Sequence, residues 1–147
     1  MAYNAPGIPS DGAVTAAKLA GAVQGVIPNI TLAPTDNANG TGDVLITVKD
    51  AAGNALAGYY LLTVWLADNA FGSADNGEWG TLGSVAQSGI EIQDLGAGTW
   101  EIGLWLTKAD GTLTIRATVD AARTVYIHAC LGNGPVAQAD VPITMGE

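Results

Sequence analysis

One histidine, one cysteine and fourteen acidic residues carry most of the reactive chemistry this chain can offer. His128 and Cys130 sit together in Val125-Tyr-Ile-His-Ala-Cys-Leu131, an apolar run that reads as a strand. A serine hydrolase would need a nucleophile beside that histidine, and no Gly-x-Ser-x-Gly elbow is present. His128 is therefore expected to be structural, and Cys130 a small buried apolar residue. A single cysteine forms no intrachain disulfide, and it supplies one thiolate where such metal sites use two or more. Glu91, Asp94 and Glu101 lie on adjacent strand candidates, where two carboxylates can act as acid and nucleophile. Solvated acidic positions are the simpler account of them. Gly132-Asn-Gly134 runs into a proline and opens no helix, so it does not cradle phosphate. Two oxygen-rich loops, Asp36-Asn-Ala-Asn-Gly-Thr-Gly-Asp43 and the stretch from Asp68 to Glu78, suit calcium best among ions. Neither has the twelve-residue spacing of an EF-hand, and loops of this composition form turns without metal. The expectation is a protein that is not an enzyme, with no catalytic residue, no cofactor and no metal.

The aromatic residues say more. Trp100 and Trp105 differ by an odd number, so within one strand one of them faces inward. The same parity puts Tyr59, Leu61 and Trp65 on one face of a run from Tyr59 to Leu66, with Tyr60, Leu62, Val64 and Leu66 on the other. A strand that is apolar on both faces implies that one of them is covered by another chain.

These side chains must be positioned by strands. Asp43-Val-Leu-Ile-Thr-Val-Lys49 places Val44, Ile46 and Val48 on one face, and Thr112–Val119 places Leu113, Ile115, Ala117 and Val119 inward. Further strands are expected at 29–33, 81–87, 90–95, 99–107, 124–131 and 136–144, with Pro142 marking an edge. Asp50–Asn54 reads as a turn, Pro34–Gly42 as a loop, and Lys108–Gly111 as a tight hairpin turn. About eight short strands with regular turn signals predict an antiparallel β-sandwich with Greek-key connections. Before Pro28 the texture differs. Two prolines and a glycine lie within the first nine residues, followed by a short Ala-rich helix capped by Ser10 or Asp11. A helix that short needs a surface to pack on. The chain thus divides into an arm, 1–28, and a sandwich domain, 29–147.

Charge narrows the partners. Five basic against fourteen acidic residues give −9, with only 13% charged residues in all. Nucleic acid needs clustered cations, and anionic lipid repels an acidic surface. Neither is an expected partner. No stretch reaches the ~18 apolar residues of a membrane span. The first residues lack a basic and apolar secretion signal, so accumulation in the cytoplasm of the producing cell is expected.

Several stretches carry a resemblance. Ile46-Thr-Val-Lys-Asp-Ala-Ala-Gly-Asn-Ala-Leu-Ala-Gly58 and Leu106-Thr-Lys-Ala-Asp-Gly-Thr-Leu-Thr-Ile115 resemble the strand-and-turn elements of bacterial immunoglobulin-like domains of the invasin type. Ile8-Pro-Ser-Asp-Gly-Ala-Val-Thr-Ala-Ala-Lys-Leu-Ala20 resembles a segment of phage fibre and head-fibre proteins. Joined to Leu62-Thr-Val-Trp-Leu-Ala-Asp68, it is similar to virion proteins with an Ig-like tip. The resemblance implies an all-β, Ig-like sandwich on a phage particle, assembled as a homotrimer. It implies a capsid decoration or head-fibre protein, bound to the major capsid protein or another virion protein on the capsid surface. The attachment or oligomer surface is then Ile8, Val14, Leu19 and Val23 of the arm with Tyr59, Leu61 and Trp65 of the domain. Two other readings are a tail-fibre or baseplate accessory and a carbohydrate-binding module that stacks tryptophans on sugars.

Overall fold

A computed structural model describes residues 28–67, 80–84, 88–95, 102–132, 134 and 136–145. Nine strands run through them: β1 (Asn29–Asp36), β2 (Thr41–Lys49), β3 (Leu61–Ala67), β4 (Gly80–Ser84), β5 (Ile90–Asp94), β6 (Ile102–Leu106), β7 (Thr112–Val119), β8 (Arg123–Leu131) and β9 (Val136–Ile143). The described residues contain no helix. The expected arm, its helix, and Ile8, Val14, Leu19 and Val23 lie outside the described residues, as do Trp79, Trp100 and the Asp68–Glu78 loop.

The strands form two antiparallel sheets, ordered β1-β2-β7-β4 and β5-β6-β3-β8-β9. An immunoglobulin frame sets its first, second, fifth and fourth strands in one sheet against the third, sixth and seventh in the other. Without β5 and β6, the chain reproduces that order: β1, β2, β7 and β4 against β3, β8 and β9. The fold is an Ig-like antiparallel sandwich. To it is added one hairpin, β5–β6, which enters the chain after β4 and pairs with the edge of β3.

Period-2 patterning explains which side chains lie between the sheets. Val44, Ile46 and Val48 of β2, Leu62, Val64 and Leu66 of β3, Leu113 and Ile115 of β7, and Val125 and Ile127 of β8 are fully buried there. Each contributes roughly 1.5–3 kcal/mol by leaving water. Trp105 is the largest side chain among them.

Several sequence expectations need correction. Nine strands are described rather than about eight. The first loop is short, because β1 continues through Pro34, which stands opposite Val44. An edge strand tolerates proline, since its outer side has no ladder partner to lose. Tyr59 and Tyr60 precede β3 rather than opening it. Lys108–Gly111 does form a tight turn, with Gly111 N–H donating to the Lys108 carbonyl over 3.0 Å. It joins no hairpin, however: β6 and β7 belong to opposite sheets, and the turn carries the chain between them. Gly111 has φ +77, and a Cβ there would run into the Leu56 carbonyl, so the turn requires glycine.

One side of the sandwich is stitched shut. The Thr144 hydroxyl donates to Asp36 Oδ2 over 2.6 Å, and the Gly40 amide donates to the Thr144 carbonyl over 2.9 Å. These bonds tie the β1–β2 turn to the end of β9.

Candidate interaction surface

The outer face of the five-stranded sheet is the surface whose composition is out of place in water. Residues paired across neighbouring strands share a face. Ile90 of β5 stands opposite Leu106 of β6, which stands opposite Leu61 of β3. Further along, Ile102 stands opposite Trp65, and Trp65 opposite His128. Leu95, just past β5, bonds through its amide to the Ile102 carbonyl over 2.9 Å. Ile102, Leu104, Leu106 and Trp65 are half-buried, while Leu61, Ile90, Ile92 and Leu95 are 48%, 54%, 52% and 44% exposed. No charged side chain appears in these rows of the face.

Tyr59 extends this face past the start of β3 and is 66% exposed. Its backbone is held firmly from both sides. The Tyr60 amide donates to Thr107 Oγ1 over 2.9 Å, the Thr107 amide donates to the Tyr60 carbonyl over 3.0 Å, and the Thr107 hydroxyl donates to the Gly58 carbonyl over 3.1 Å. Thr107 is fully buried, so this small hydroxyl satisfies two backbone groups that would otherwise be stranded. Opposite Tyr59, the start of β5 is fixed by the Ser88 hydroxyl, which donates to the Thr114 carbonyl over 2.9 Å. Gly89 follows with φ +152, where a Cβ would strike Leu113 and the Leu106 carbonyl. Between these two fixed segments lies a cleft of about 290 Å³, lined by Tyr59, Gly89, Ile90, Thr107, Lys108 and Ala109. Lys108 Nζ lies 3.2 Å from Asp110, an ion pair at the rim.

Of the sequence-proposed surface, Tyr59, Leu61 and Trp65 do fall on one face. They differ in kind: Tyr59 and Leu61 are open, whereas Trp65 is half-buried and stacks on His128 with ring centroids 5.2 Å apart and 13° between planes. His128 is 3% exposed in that stack, with Val125, Ile127 and Ala129 on the opposite face of β8 fully buried. Trp105 points inward. Cys130 is not the buried residue expected from its apolar neighbours. It shares the outer face with His128, half-exposed, and its Sγ lies 3.2 Å and 3.3 Å from the carbonyls of Gly132 and Gly134.

The Asp36–Asp43 loop uses its carboxylates for the fold. Asp36 accepts from the Ala38 amide as well as from Thr144, and the Thr144 hydroxyl does most to hold its carboxyl below the usual 3.8. Asp43 accepts two bonds from Arg116, at 2.7 and 2.8 Å, and that guanidinium lowers its pKa also. Among the described residues no three His, Cys, Asp or Glu side chains gather as a metal site would require.

No protein-family model matches this sequence, and no curated protein does. Solved structures align with this chain at low similarity. Domains 4 and 5 of the S-layer protein SbsC align at 18% identity and TM-score 0.42, over 80% of this chain and 54% of that one. The chain therefore spans about half the length of that S-layer fragment. A conjugative transposon lipoprotein from Bacteroides eggerthii aligns at 13% identity and TM-score 0.42, over 78% of this chain and 95% of that one. A cohesin module of a family 33 glycoside hydrolase from Clostridium perfringens aligns at 12% identity and TM-score 0.45, over 80% and 97%.

Sequence reasoning missed Ile90, Ile92 and Leu95. Ile90-Glu-Ile-Gln-Asp-Leu95 reads as an ordinary strand, and nothing in it says that the strand lies at an edge. The register slips between Glu91 and Gln93, a bulge that leaves Ile92 as the extra residue. Proline and lysine, which commonly blunt edge strands, are absent from this stretch, so the segment reads as an interior strand and its edge position stays hidden.

Proposed function

We propose that this chain is a non-catalytic structural module of a phage particle, a capsid decoration or head-fibre protein whose sandwich docks by surface contact. The observation that carries the docking half is the apolar face running from Tyr59 and Leu61 to Ile90 and Leu95, whose large side chains stand open to water. A preformed aromatic on a fixed backbone is the kind of anchor that dominates protein interfaces, because little entropy remains to be lost on binding. The particle half rests on the resemblance of Ile8–Ala20 to phage fibre segments. The arm, 1–28, attaches to the major capsid protein or another virion protein, and the domain projects outward. Many weak copies on one shell then act together. A tail-fibre or baseplate accessory would use the same parts at low copy number.

Quantitative mass spectrometry of purified particles from the producing culture tests this. Copies in the hundreds per particle are expected for a capsid location. A handful would move the protein to the tail, and its absence from particles would end the virion reading.

A further inference from the structure

The four sheet edges of this sandwich are treated differently. β1 and β9 lie together on one side, and each carries a proline, Pro34 and Pro142, that denies an incoming strand a hydrogen-bond donor. The same side is further closed by the bonds of Asp36 and Gly40 to Thr144. β5 ends the other side of its sheet, with no proline, and no described strand pairs with its outer edge. It is also where the open apolar side chains gather. Five of the large exposed hydrophobic residues, Tyr59, Leu61, Ile90, Ile92 and Leu95, lie on β5 or on the face it extends.

We propose that a second copy of this chain covers this patch, the outer faces of the two five-stranded sheets packing against each other across a twofold axis. Area supports a second copy as the occupant. At the exposures given above, the five side chains leave on the order of 500 Å² in water, near the top of what ordinary monomers show in one patch. Two such patches closing on each other remove roughly 1,000 Å², which meets the lower bound for a specific interface. A twofold contact is self-complementary by construction, so it needs no second surface on the molecule.

Charge points the same way. Two copies bring together −9 and −9, so their contact must be free of like charges. The apolar residues of the patch meet that condition. The two carboxylates of β5, Glu91 and Asp94, stand opposite Trp105 and Gly103 and so share the inward face, away from Ile90 and Leu95. This proposal concerns the sandwich itself and is independent of which particle carries it.

Native mass spectrometry and sedimentation equilibrium of the full chain at tens of micromolar test it. A species of twice 14.8 kDa is expected. Ile90→Lys or Ile92→Lys should raise the dissociation constant at least tenfold with an unchanged thermal melt, since both side chains are open to water. Leu45→Lys, an equally open position on the other sheet, should leave association as it was. A monomer at these concentrations overturns the proposal. So does a trimer, which a twofold face-to-face contact does not build, and so does equal weakening by Leu45→Lys.

Discussion

Trp105 and Trp65 look interchangeable in the sequence, and the sheet separates them. Trp105 is fully buried between the sheets, whereas Trp65 lies half-buried on the outer face against His128. Trp105→Ala is expected to lower unfolding free energy by about 3–5 kcal/mol, the usual cost of emptying a core aromatic site. Trp65→Ala should cost clearly less, because its ring already keeps one side out of the core. Urea denaturation of both variants checks this, and equal losses would contradict the assignment. Parity legibly placed Tyr59, Leu61 and Trp65 together, since alternation is a property of neighbours in one strand. It said nothing of Cys130, whose apolar neighbours suggested burial. Exposure of Cys130 depends on which face of β8 meets the second sheet, and only the long-range pairing of β3 with β8 decides that.

At the scale of elements, turns were the most readable features and their destinations the least. Asp50 was recognisable as a turn-former, and it accepts from the amides of Ala52 and Asn54 and from the Asn54 side chain. Asp110 likewise accepts from the amide and hydroxyl of Thr112. Where such a turn sends the chain, back along its own sheet or across to the other, depends on partners far away in sequence. The Lys108–Gly111 turn was misread for that reason. The carboxylates of Asp36, Asp43, Asp50 and Asp110 all sit below the usual 3.8, mainly through the bonds they accept from Thr144, Arg116, Asn54 and Thr112 respectively. Folding thus favours their ionised form. Their contribution is fully present above 3.8 and drains away as pH falls through 3.8 toward the lower folded values. Relief of the −9 net charge acts in the opposite sense on acidification, so a single melt is ambiguous. The comparison of wild type with Asp36→Asn removes that ambiguity. The variant should be less stable at pH 7 and at pH 5, with the gap narrowing below pH 3.8. A gap that stays constant to pH 2 would show that Asp36 contributes nothing through its charge.

For the whole molecule, the division at Asn29 sets the expectation. β1 begins there, and the sandwich core is assembled from strands that all follow it. Deleting residues 1–28 should leave a cooperative, β-rich thermal transition while abolishing attachment to particles. Loss of cooperative folding would mean that the arm belongs to the domain. The bonds between Asp36 and Thr144 carry a mechanical meaning as well. They bring the end of β1 beside the end of β9, so the two strands run in the same direction. Asn29 and Thr144 are therefore at opposite poles of the sandwich, about 23 Å apart along an eight-residue strand. A pull between those poles runs along the strands. It loads the eight paired positions of β1 and β2 together, in shear, where a pull across the sheet would unzip them one after another. Tension applied from an arm on one side to a load on the other would meet the ladder in its strongest orientation.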